Sequence, residues 1–416
     1  MKVGVLFTAY KSQGGVYQYY VEILHALSKI KSHDFVIFSV SKDFPLEFKR
    51  VKNFKIINLY SRSANFVVMV RGVISYFLYY SRINVMRFFY ELHLFGLVAL
   101  LYKFTQKNLI KRLKNENLDL MIYPTPVYLA FLAKIPFIAT VHDLEHRNRR
   151  KFKEASGGGR WEYREYCLHN VSKKAFRIFV DSKINRKNMI NYYQASPNKV
   201  VPLPYIPPSS LAVKLSKAKV GRILKKLQLF DKYIFYPAKF WPHKNHLNLI
   251  KALILLKKKG IGVNLILTGS PTADFSTLPQ ILNLIKQNRM QQQVRYLGYV
   301  NDEELSLIYK GASAMVMPTY FGPTNIPVYE AWKMGTPVLY SDIRGCREFL
   351  GEAGLLVNPD KPGDIADKIS KIYTNATLRR KLAGKGKKKL REWGRSDFAK
   401  TIKETLRDFE EKEYVN

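Results

Sequence analysis

The feature that most constrains the fold of this chain is a repeated alternation of short apolar runs with longer amphipathic stretches. The predicted strands are 3–8, 35–38, 119–123, 136–141 and 177–180 in the first half, and 233–236, 263–267, 294–297, 314–317 and 337–340 in the second. Short apolar strands that alternate with helices are typical of parallel, doubly wound α/β sheets. We therefore predict two Rossmann-like domains.

A proline-rich segment separates the two halves. Residues 200–204 run into Ile206-Pro207-Pro208-Ser209, and such segments are common at domain boundaries. This predicts an N-terminal domain at 1–205 and a C-terminal domain at 206–416. The last helix, about 396–411, is a candidate to pack back on the first domain. Because doubly wound sheets bind ligands at the carboxyl ends of their strands, we expect the two domains to face each other across a central cleft.

The charge of the chain is strongly positive, with 69 Lys and Arg against 32 Asp and Glu and a formal net charge of +37. This implies an anionic partner: nucleic acid, an anionic membrane or a phosphorylated substrate. The basic residues are scattered and form no nucleic-acid-binding motif, which argues against nucleic acid. Two cysteines, Cys167 and Cys346, make neither a disulfide framework nor a zinc site. They fit a reducing compartment, so we expect a cytoplasmic protein.

Residues 65–112 interleave aromatic and aliphatic side chains with spaced basic ones. The basic residues are Arg71, Arg82, Arg87, Lys103, Lys107, Lys111 and Arg112. Two interpretations stay open: core helices with solvated arginines on their outer face, or amphipathic helices that lie on an anionic bilayer. No strongly apolar run reaches the roughly 18 residues of a membrane span. The second interpretation therefore predicts a protein that is peripheral on the inner face of the cell membrane.

Two loops that follow predicted strands carry candidate binding residues. Gly14 and Gly15 lie between the first strand and its helix, where the backbone can approach an anion, although a tight turn explains the pair about as well. Lys239 and Lys244 follow the strand at 233–236. At this spacing the two lysines can converge on a diphosphate and neutralise a leaving group, whereas solvated surface lysines are the alternative.

The densest signal is the segment 318–331, where a buried strand ends in a Gly/Pro loop and a helix begins near Ile326. The N–H groups and the dipole of that helix start favour a phosphate, and Thr324 and Asn325 lie beside them. Glu330 follows about one turn later. Its carboxylate is suited to accept hydrogen bonds from the two hydroxyls of a ribose.

Together these motifs resemble those of family 4 glycosyltransferases, which have the GT-B fold. That family typically has a Gly-Gly first loop, an Arg and a Lys at a spacing of five, and a Glu-x7-Glu motif. The two loop glycines and the two lysines match the first two motifs, with lysine in place of arginine, and Glu330 matches the second Glu. Gly322 stands where the first Glu is expected.

The resemblance implies retaining transfer of a sugar from a nucleotide-diphosphate sugar, GDP- or UDP-linked, to a glycan or lipid-linked acceptor in surface polysaccharide biosynthesis. It assigns donor binding to the following residues: Gly15, Lys239, Lys244, Thr324, Asn325, Ile326 and Glu330. A histidine after the strand 136–141 lies over the donor sugar in the family. His142 is therefore the catalytic candidate, with a structural role as its alternative. Gly14 and Arg147 are acceptor-side candidates, although a solvated loop would also explain Arg147.

The sequence contains no Asp-x-Asp motif. That motif holds a divalent metal in the other large glycosyltransferase fold, so we expect transfer without a metal or another cofactor. The lysines and a helix N-terminus would stabilise the departing nucleotide diphosphate. Two other classes remain open: a sugar-nucleotide epimerase of the same fold, and a basic nucleic-acid- or membrane-binding protein without transferase activity.

Overall fold

The structure, a computed structural model, describes residues 1–59, 85–212, 215–271, 275–322 and 324–413. It divides into two compact units, Met1–Pro204 with Arg395–Asn416, and Tyr205–Gly394. Two of the basic residues that motivate the membrane interpretation, Arg71 and Arg82, lie outside the described residues, and so does the side chain of Arg87.

The first unit is built on a parallel sheet. Its strands are β1 (Lys2–Phe7), β2 (Asp34–Ser39), β3 (Phe54–Asn58), β4 (Leu120–Tyr123), β5 (Phe137–Val141), β6 (Arg177–Val180) and β7 (Val200–Pro202). They pair in the order β3-β2-β1-β4-β5-β6-β7. Its helices are α1 (Gly15–Ser28), α2 (Val85–Glu91), α3 (Phe95–Thr105), α4 (Lys107–Asn115), α5 (Leu129–Leu132), α6 (Glu145–Asn148), α7 (Lys153–Ser156), α8 (Arg160–Lys174) and α9 (Lys183–Tyr193). Short 3-10 turns lie at Lys11–Gln13 and Leu46–Arg50.

The second unit repeats this plan. Its strands are β8 (Ile234–Pro237), β9 (Leu265–Thr268), β10 (Val294–Tyr296), β11 (Ala314–Met317), β12 (Val338–Ser341) and β13 (Leu355–Val357). They form a parallel sheet in the order β10-β9-β8-β11-β12-β13. Its helices are α10 (Lys217–Leu227), α11 (His246–Lys258), α12 (Leu278–Gln287), α13 (Asp302–Gly311), α14 (Ile326–Met334), α15 (Cys346–Leu350), α16 (Pro362–Thr374) and α17 (Ala376–Glu392). Short 3-10 turns lie at Ser209–Ala212 and Pro242–Lys244.

The inner strands are buried along most of their length, as parallel sheets covered on both faces require. All residues of β4, β9 and β11 are buried. Three strands were not among those predicted, namely β3, β7 and β13. Each lies at a sheet edge. These three strands are only partly buried, so their apolar pattern is weak, and β7 even contains a proline.

The last helix, α18 (Arg395–Glu413), belongs to the first unit, so the compact second unit ends at Gly394 and not at 416. The physical reason is its apolar face. Phe398 and Phe409 are buried, and the ring of Phe409 meets Phe176 at 5.0 Å between centroids. At the start of the helix, the guanidinium of Arg395 donates to the buried carboxylate of Glu22 at 3.1 Å. Among the described residues, no helix combines the length and the hydropathy that crossing a membrane requires.

Candidate functional site

The loop after β8 carries Lys239 and Lys244 and is anchored by Phe240. The Phe240 ring is fully buried and stacks on His246 with 4.6 Å between centroids. Its carbonyl accepts hydrogen bonds from the N–H of Thr277 at 2.8 Å and from the Thr277 hydroxyl at 3.0 Å. The side chain of Lys239 is partly buried, and this burial lowers the pKa of its ammonium group. Partial desolvation strengthens the attraction of such a cation to an anion.

Direct contacts join this loop to the loop after β11. The His243 ring stacks on Phe321 with centroids 4.1 Å apart and planes 12° from parallel. The carbonyl of His243 accepts a hydrogen bond from the Tyr320 N–H at 2.7 Å. The amide of Asn245 donates to the Pro318 carbonyl at 2.8 Å. The loops that follow two neighbouring strands, β8 and β11, are therefore fixed on each other.

Asn325, the residue before α14, organises the meeting point of the two loops. Its Nδ2 donates to the Tyr340 hydroxyl at 2.5 Å and to the carbonyls of Phe321 and Gly322 at 3.1 and 3.2 Å. The Tyr340 hydroxyl in turn donates to the Gly322 carbonyl at 2.6 Å. The Oδ1 of Asn325 accepts from Lys244 Nζ at 3.4 Å and does not cap α14. The loop after β8, which we call the lysine loop, thus contacts the start of α14. The N–H groups of that helix start receive no hydrogen bond from the Asn325 side chain.

Gly322 is required by the shape of this loop. Its φ is +83°, in the region that favours glycine. A Cβ at this position would lie 2.6 Å from Asn325 Nδ2 and 2.9 Å from the Thr324 carbonyl oxygen. The absence of the Glu expected here therefore has a structural reason, because the asparagine side chain occupies the space that a larger residue would need.

Glu330 lies on the second turn of α14, four residues after Ile326 and about 6 Å further along the helix axis. The residue is 7% exposed, and its Oε2 accepts a hydrogen bond from the Tyr309 hydroxyl at 2.7 Å. Burial raises the pKa of its carboxyl group to about 7, and the Tyr309 bond and Lys333 offset this only in part. The carboxyl group can therefore change its charge near neutral pH.

The predicted donor residues of the second unit thus occupy two adjoining loops and one helix. Lys244 and Asn325 are in contact, Thr324 and Ile326 are buried on either side of Asn325, and Lys239 lies earlier in the lysine loop. No sequence pattern indicated Tyr309 and Tyr340, since each contacts a residue 15 or more positions away.

In the first unit, Gly14 and Gly15 connect β1 to α1 as predicted. Gly14 has φ +61°, its N–H donates to the Lys11 carbonyl at 3.0 Å, and the helix begins at Gly15 without a side-chain cap. Gly14 is exposed, whereas Gly15 is partly buried. The loop thus presents a helix N-terminus at the carboxyl end of β1, an inner strand of the sheet.

His142 directly follows β5 and is partly buried. Its Nε2–H donates to the Pro124 carbonyl at 2.8 Å, which places the lone pair of a neutral ring on Nδ1. The ring meets the edge of Tyr19 at 4.9 Å between centroids. Burial lowers the pKa of His142 to about 4, so the imidazole is neutral at physiological pH.

Arg147 is held by an internal carboxylate that the sequence did not indicate. Its Nε donates to Glu165 Oε1 at 2.7 Å, and its Nη2 donates to Oε2 of the same residue. His146 and Tyr193 also donate to Glu165 Oε1, at 2.9 and 2.6 Å. Burial alone would raise the pKa of Glu165, but Arg147, His146 and Tyr193 together hold it well below its usual range. The guanidinium of Arg147 therefore has a structural partner within its own unit.

No three His, Cys, Asp or Glu side chains are grouped as metal ligands within the part of the chain that the structure describes.

Comparisons with known proteins identify the family of the chain. A family model described as Glycosyltransferase Family 4 matches residues 13–205, and one described as Glycosyl transferases group 1 matches residues 222–389. The O-antigen chain mannosyltransferase B of Escherichia coli is 28% identical over 229 residues, which cover 55% of this chain and 59% of that protein. The match thus spans about six tenths of this relative's length.

Solved structures share the fold at low sequence identity. A glycosyltransferase from Rickettsia africae superposes with a TM-score of 0.68 over 98% of each chain, at 16% identity. Anabaena HepE in complex with UDP and glucose gives a TM-score of 0.68 over 98% of this chain and 100% of that one, at 14% identity. Since the two family models fall on the two units and the likeness in fold extends over nearly the whole length, the chain belongs to the family 4, or group 1, glycosyltransferases with the two-domain GT-B fold.

Proposed function

We propose that the chain is a retaining glycosyltransferase that moves a sugar from a GDP- or UDP-linked donor to a glycan or lipid-linked acceptor in surface polysaccharide biosynthesis. The observation that carries this proposal is the contact between Lys244 and Asn325, which brings the lysine loop to the start of α14, with Glu330 one turn further on. The names of two similar proteins support it: one is an O-antigen mannosyltransferase, and the other was solved with UDP and glucose.

In this proposal the diphosphate of the donor lies between the lysine loop and α14. Lys239 and Lys244 supply positive charge, and the Ile326 N–H and the positive end of the α14 dipole would face the bound anion. Pro327 has no N–H, and the Val328 N–H donates to the Asn325 carbonyl at 3.0 Å. As the bond to the sugar breaks, negative charge grows on the departing nucleotide diphosphate. Fixed donors that are already in place stabilise this charge without reorganisation, so no metal ion is needed.

Glu330 would accept hydrogen bonds from the two ribose hydroxyls of the nucleotide. Its partner Tyr309 fixes the carboxyl group, and a pKa of about 7 allows it to ionise when hydroxyl donors arrive. His142 would contact the reacting sugar as a neutral imidazole whose Nε2–H donates to the Pro124 carbonyl and whose lone pair lies on Nδ1. Gly15 would contribute its backbone N–H, as the resemblance implies.

The donor assignment is tested by Lys244→Ala, with Lys251→Ala as the matched control. Lys251 is exposed on α11 and lies outside both loops. Loss of a charge-assisted contact of about 1.5–3 kcal/mol should weaken donor binding by roughly ten- to a hundredfold. The measurement is calorimetric affinity over a panel of GDP- and UDP-sugars, followed by turnover. Unchanged affinity and turnover in the Lys244 variant would reject the assignment.

The absence of a metal requirement is tested separately. Transfer, assayed with the best donor of that panel, should persist in excess chelator, since the lysines and α14 carry the stabilising charge. Complete loss of activity that is restored by Mg²⁺ or Mn²⁺ would show that a metal ion stabilises the departing nucleotide diphosphate.

We place this activity in the cytoplasm, at the inner face of the cell membrane, where a lipid-linked acceptor would be held. The partners are then the sugar nucleotide, the acceptor and the membrane surface, and nucleic acid is not among them. Purified protein should accordingly be free of bound nucleic acid at low salt.

A further inference from the structure

The helices α2 and α3, with the turn between them, expose an unusual row of large apolar side chains. We call the following residues the outer face: Phe88, Leu92, Leu94, Leu97, Leu100 and Phe104. These six residues are between 41% and 80% exposed. On α3, the last three are spaced by three and four residues, so they lie along one side of the helix. Single exposed leucines are ordinary, but a continuous apolar strip on a folded protein marks a contact surface.

The opposite side of the same helices is already packed, so the outer face cannot be a misplaced core. Val98 and Tyr90 are buried, and together with Tyr128 and Cys167 they form a separate apolar cluster. The Phe95 ring stacks on Tyr166 with centroids 4.7 Å apart. The helices are therefore fixed by one side, and their apolar outer side faces away from this cluster.

A basic surface overlaps the end of the outer face and continues beyond it along the chain. Its members are Lys103, Lys107, Lys111, Arg112 and Lys114, all of them exposed. The sequence contains no Asp or Glu between Glu91 and Glu116. Leu113 is fully buried, and Leu109 and Ile110 pack against the core of the unit, so α4 is also fixed with its charges outward.

We infer that the outer face and the basic surface together form a docking surface for an anionic lipid bilayer. Charge complementarity selects this occupant, because lysines without neighbouring carboxylates are attracted to acidic headgroups. The leucines and phenylalanines would insert at the boundary between headgroups and acyl chains, as in interfacial helices. The inference names the surface that would contact the membrane of the proposed function. It rests on that function only for the biological purpose of docking.

The experiment is flotation of the full chain with phosphatidylcholine vesicles that contain increasing phosphatidylglycerol, without donor or acceptor. Binding should rise with phosphatidylglycerol and weaken at about 1 M salt, where screening acts over about 3 Å. The charge variant is Lys103→Gln, Lys107→Gln and Lys111→Gln. At about fivefold per charge, it should bind on the order of a hundredfold less. The apolar variant, Leu97→Asn, Leu100→Asn and Phe104→Asn, should lose most of the salt-resistant binding.

Matched controls come from the second unit. The charge control is Arg380→Gln, Lys381→Gln and Lys388→Gln, which removes three exposed charges from α17. The apolar control is Leu224→Asn, Leu255→Asn and Leu282→Asn, which removes three exposed leucines. Both controls should bind vesicles like the parent protein, and circular dichroism spectra should show every variant folded.

Three results would overturn the inference. The first is no binding at any phosphatidylglycerol content. The second is an equal loss in the α17 control, which would mean that overall charge and not this surface drives binding. The third is a parent protein that is dimeric by light scattering and becomes monomeric in the apolar variant, which would make the outer face a contact between copies. Because no sugar nucleotide is present, any of these results leaves the donor-site proposal to its own test.

Discussion

Glu165 in the first unit and Glu330 in the second are both buried glutamates, yet the pKa values of their carboxyl groups move in opposite directions. Glu165 accepts hydrogen bonds from Arg147, His146 and Tyr193, and its pKa falls well below the usual range. Glu330 has the Tyr309 hydroxyl as a donor, and its pKa rises to about 7. The difference is the Arg147 guanidinium beside Glu165. A buried carboxylate without a close cation loses its hydration and gains too little electrostatic stabilisation to compensate, so its pKa rises.

Under the proposed function, the contrast separates a structural carboxylate from one that binds a ligand. Glu165 has its donors in the folded chain, so it ties α8 to the segment after β5. Glu330 accepts from the Tyr309 hydroxyl, and under the proposed function its further donors would be the ribose hydroxyls of the substrate. Three predictions test this difference between Glu165 and Glu330, and they are ordered from the largest expected effect to the smallest.

The largest effect is expected for Glu165→Gln. The substitution removes the charge that neutralises Arg147 and weakens the bonds from His146 and Tyr193, so the free energy of unfolding should fall by about 3 kcal/mol. Urea unfolding at neutral pH measures it. Glu162→Gln on the same helix is the control and should have little effect, since Glu162 is partly exposed. Equal stability of the two variants would mean that Glu165 is not the structural carboxylate described.

Glu330→Gln should instead stabilise the protein at alkaline pH. The folded pKa of about 7 lies above the ordinary value of 4.5, so protonated Glu330 stabilises the fold below pH 4.5. That contribution is lost as the pH rises through 7, and glutamine, which does not titrate, escapes the loss. At pH 8 the variant should gain roughly 2–3 kcal/mol over the parent, and little at pH 4.

Urea unfolding at the two pH values checks this prediction, with Glu348→Gln, an exposed position on α15, as the control. A variant that is less stable than the parent at pH 8 would place Glu330 with Glu165, among the structural carboxylates.

The smallest effect concerns ligand binding in the parent protein. If the ionised Glu330 accepts the ribose hydroxyls, donor affinity should rise by roughly tenfold between pH 6 and pH 8, as the carboxyl group with a pKa of about 7 ionises. Glu330→Gln should bind the donor more weakly and show a flat profile over this range. Affinity measured by calorimetry in matched buffers decides it, and a variant that keeps the parent's slope would assign the titration to another group.

Sequence patterns predicted the fold and the loops that form the candidate site, but not the hydrogen-bond partners of the candidate residues. Central strands such as β4 and β11 are buried on both faces, so their apolar runs are unmistakable, whereas the edge strand β7 leaves only a short signal. The lysine loop and the start of α14 were visible because they follow buried strands. The bonds from Tyr309 to Glu330 and from Arg147 to Glu165 join residues 21 and 18 positions apart on different helices, and no local pattern encodes such pairs.

The glycine at 322 also limits how this loop can evolve. A side chain there would collide with Asn325, whose amide is held by Tyr340 and by the carbonyl of Gly322 itself. A glutamate there would also have to adopt φ +83° and lie against the Thr324 carbonyl, so replacing Asn325 alone would not remove the barrier. The loop and its anchoring residues should be inherited as a block, and descendants that keep Asn325 and Tyr340 should keep the glycine too.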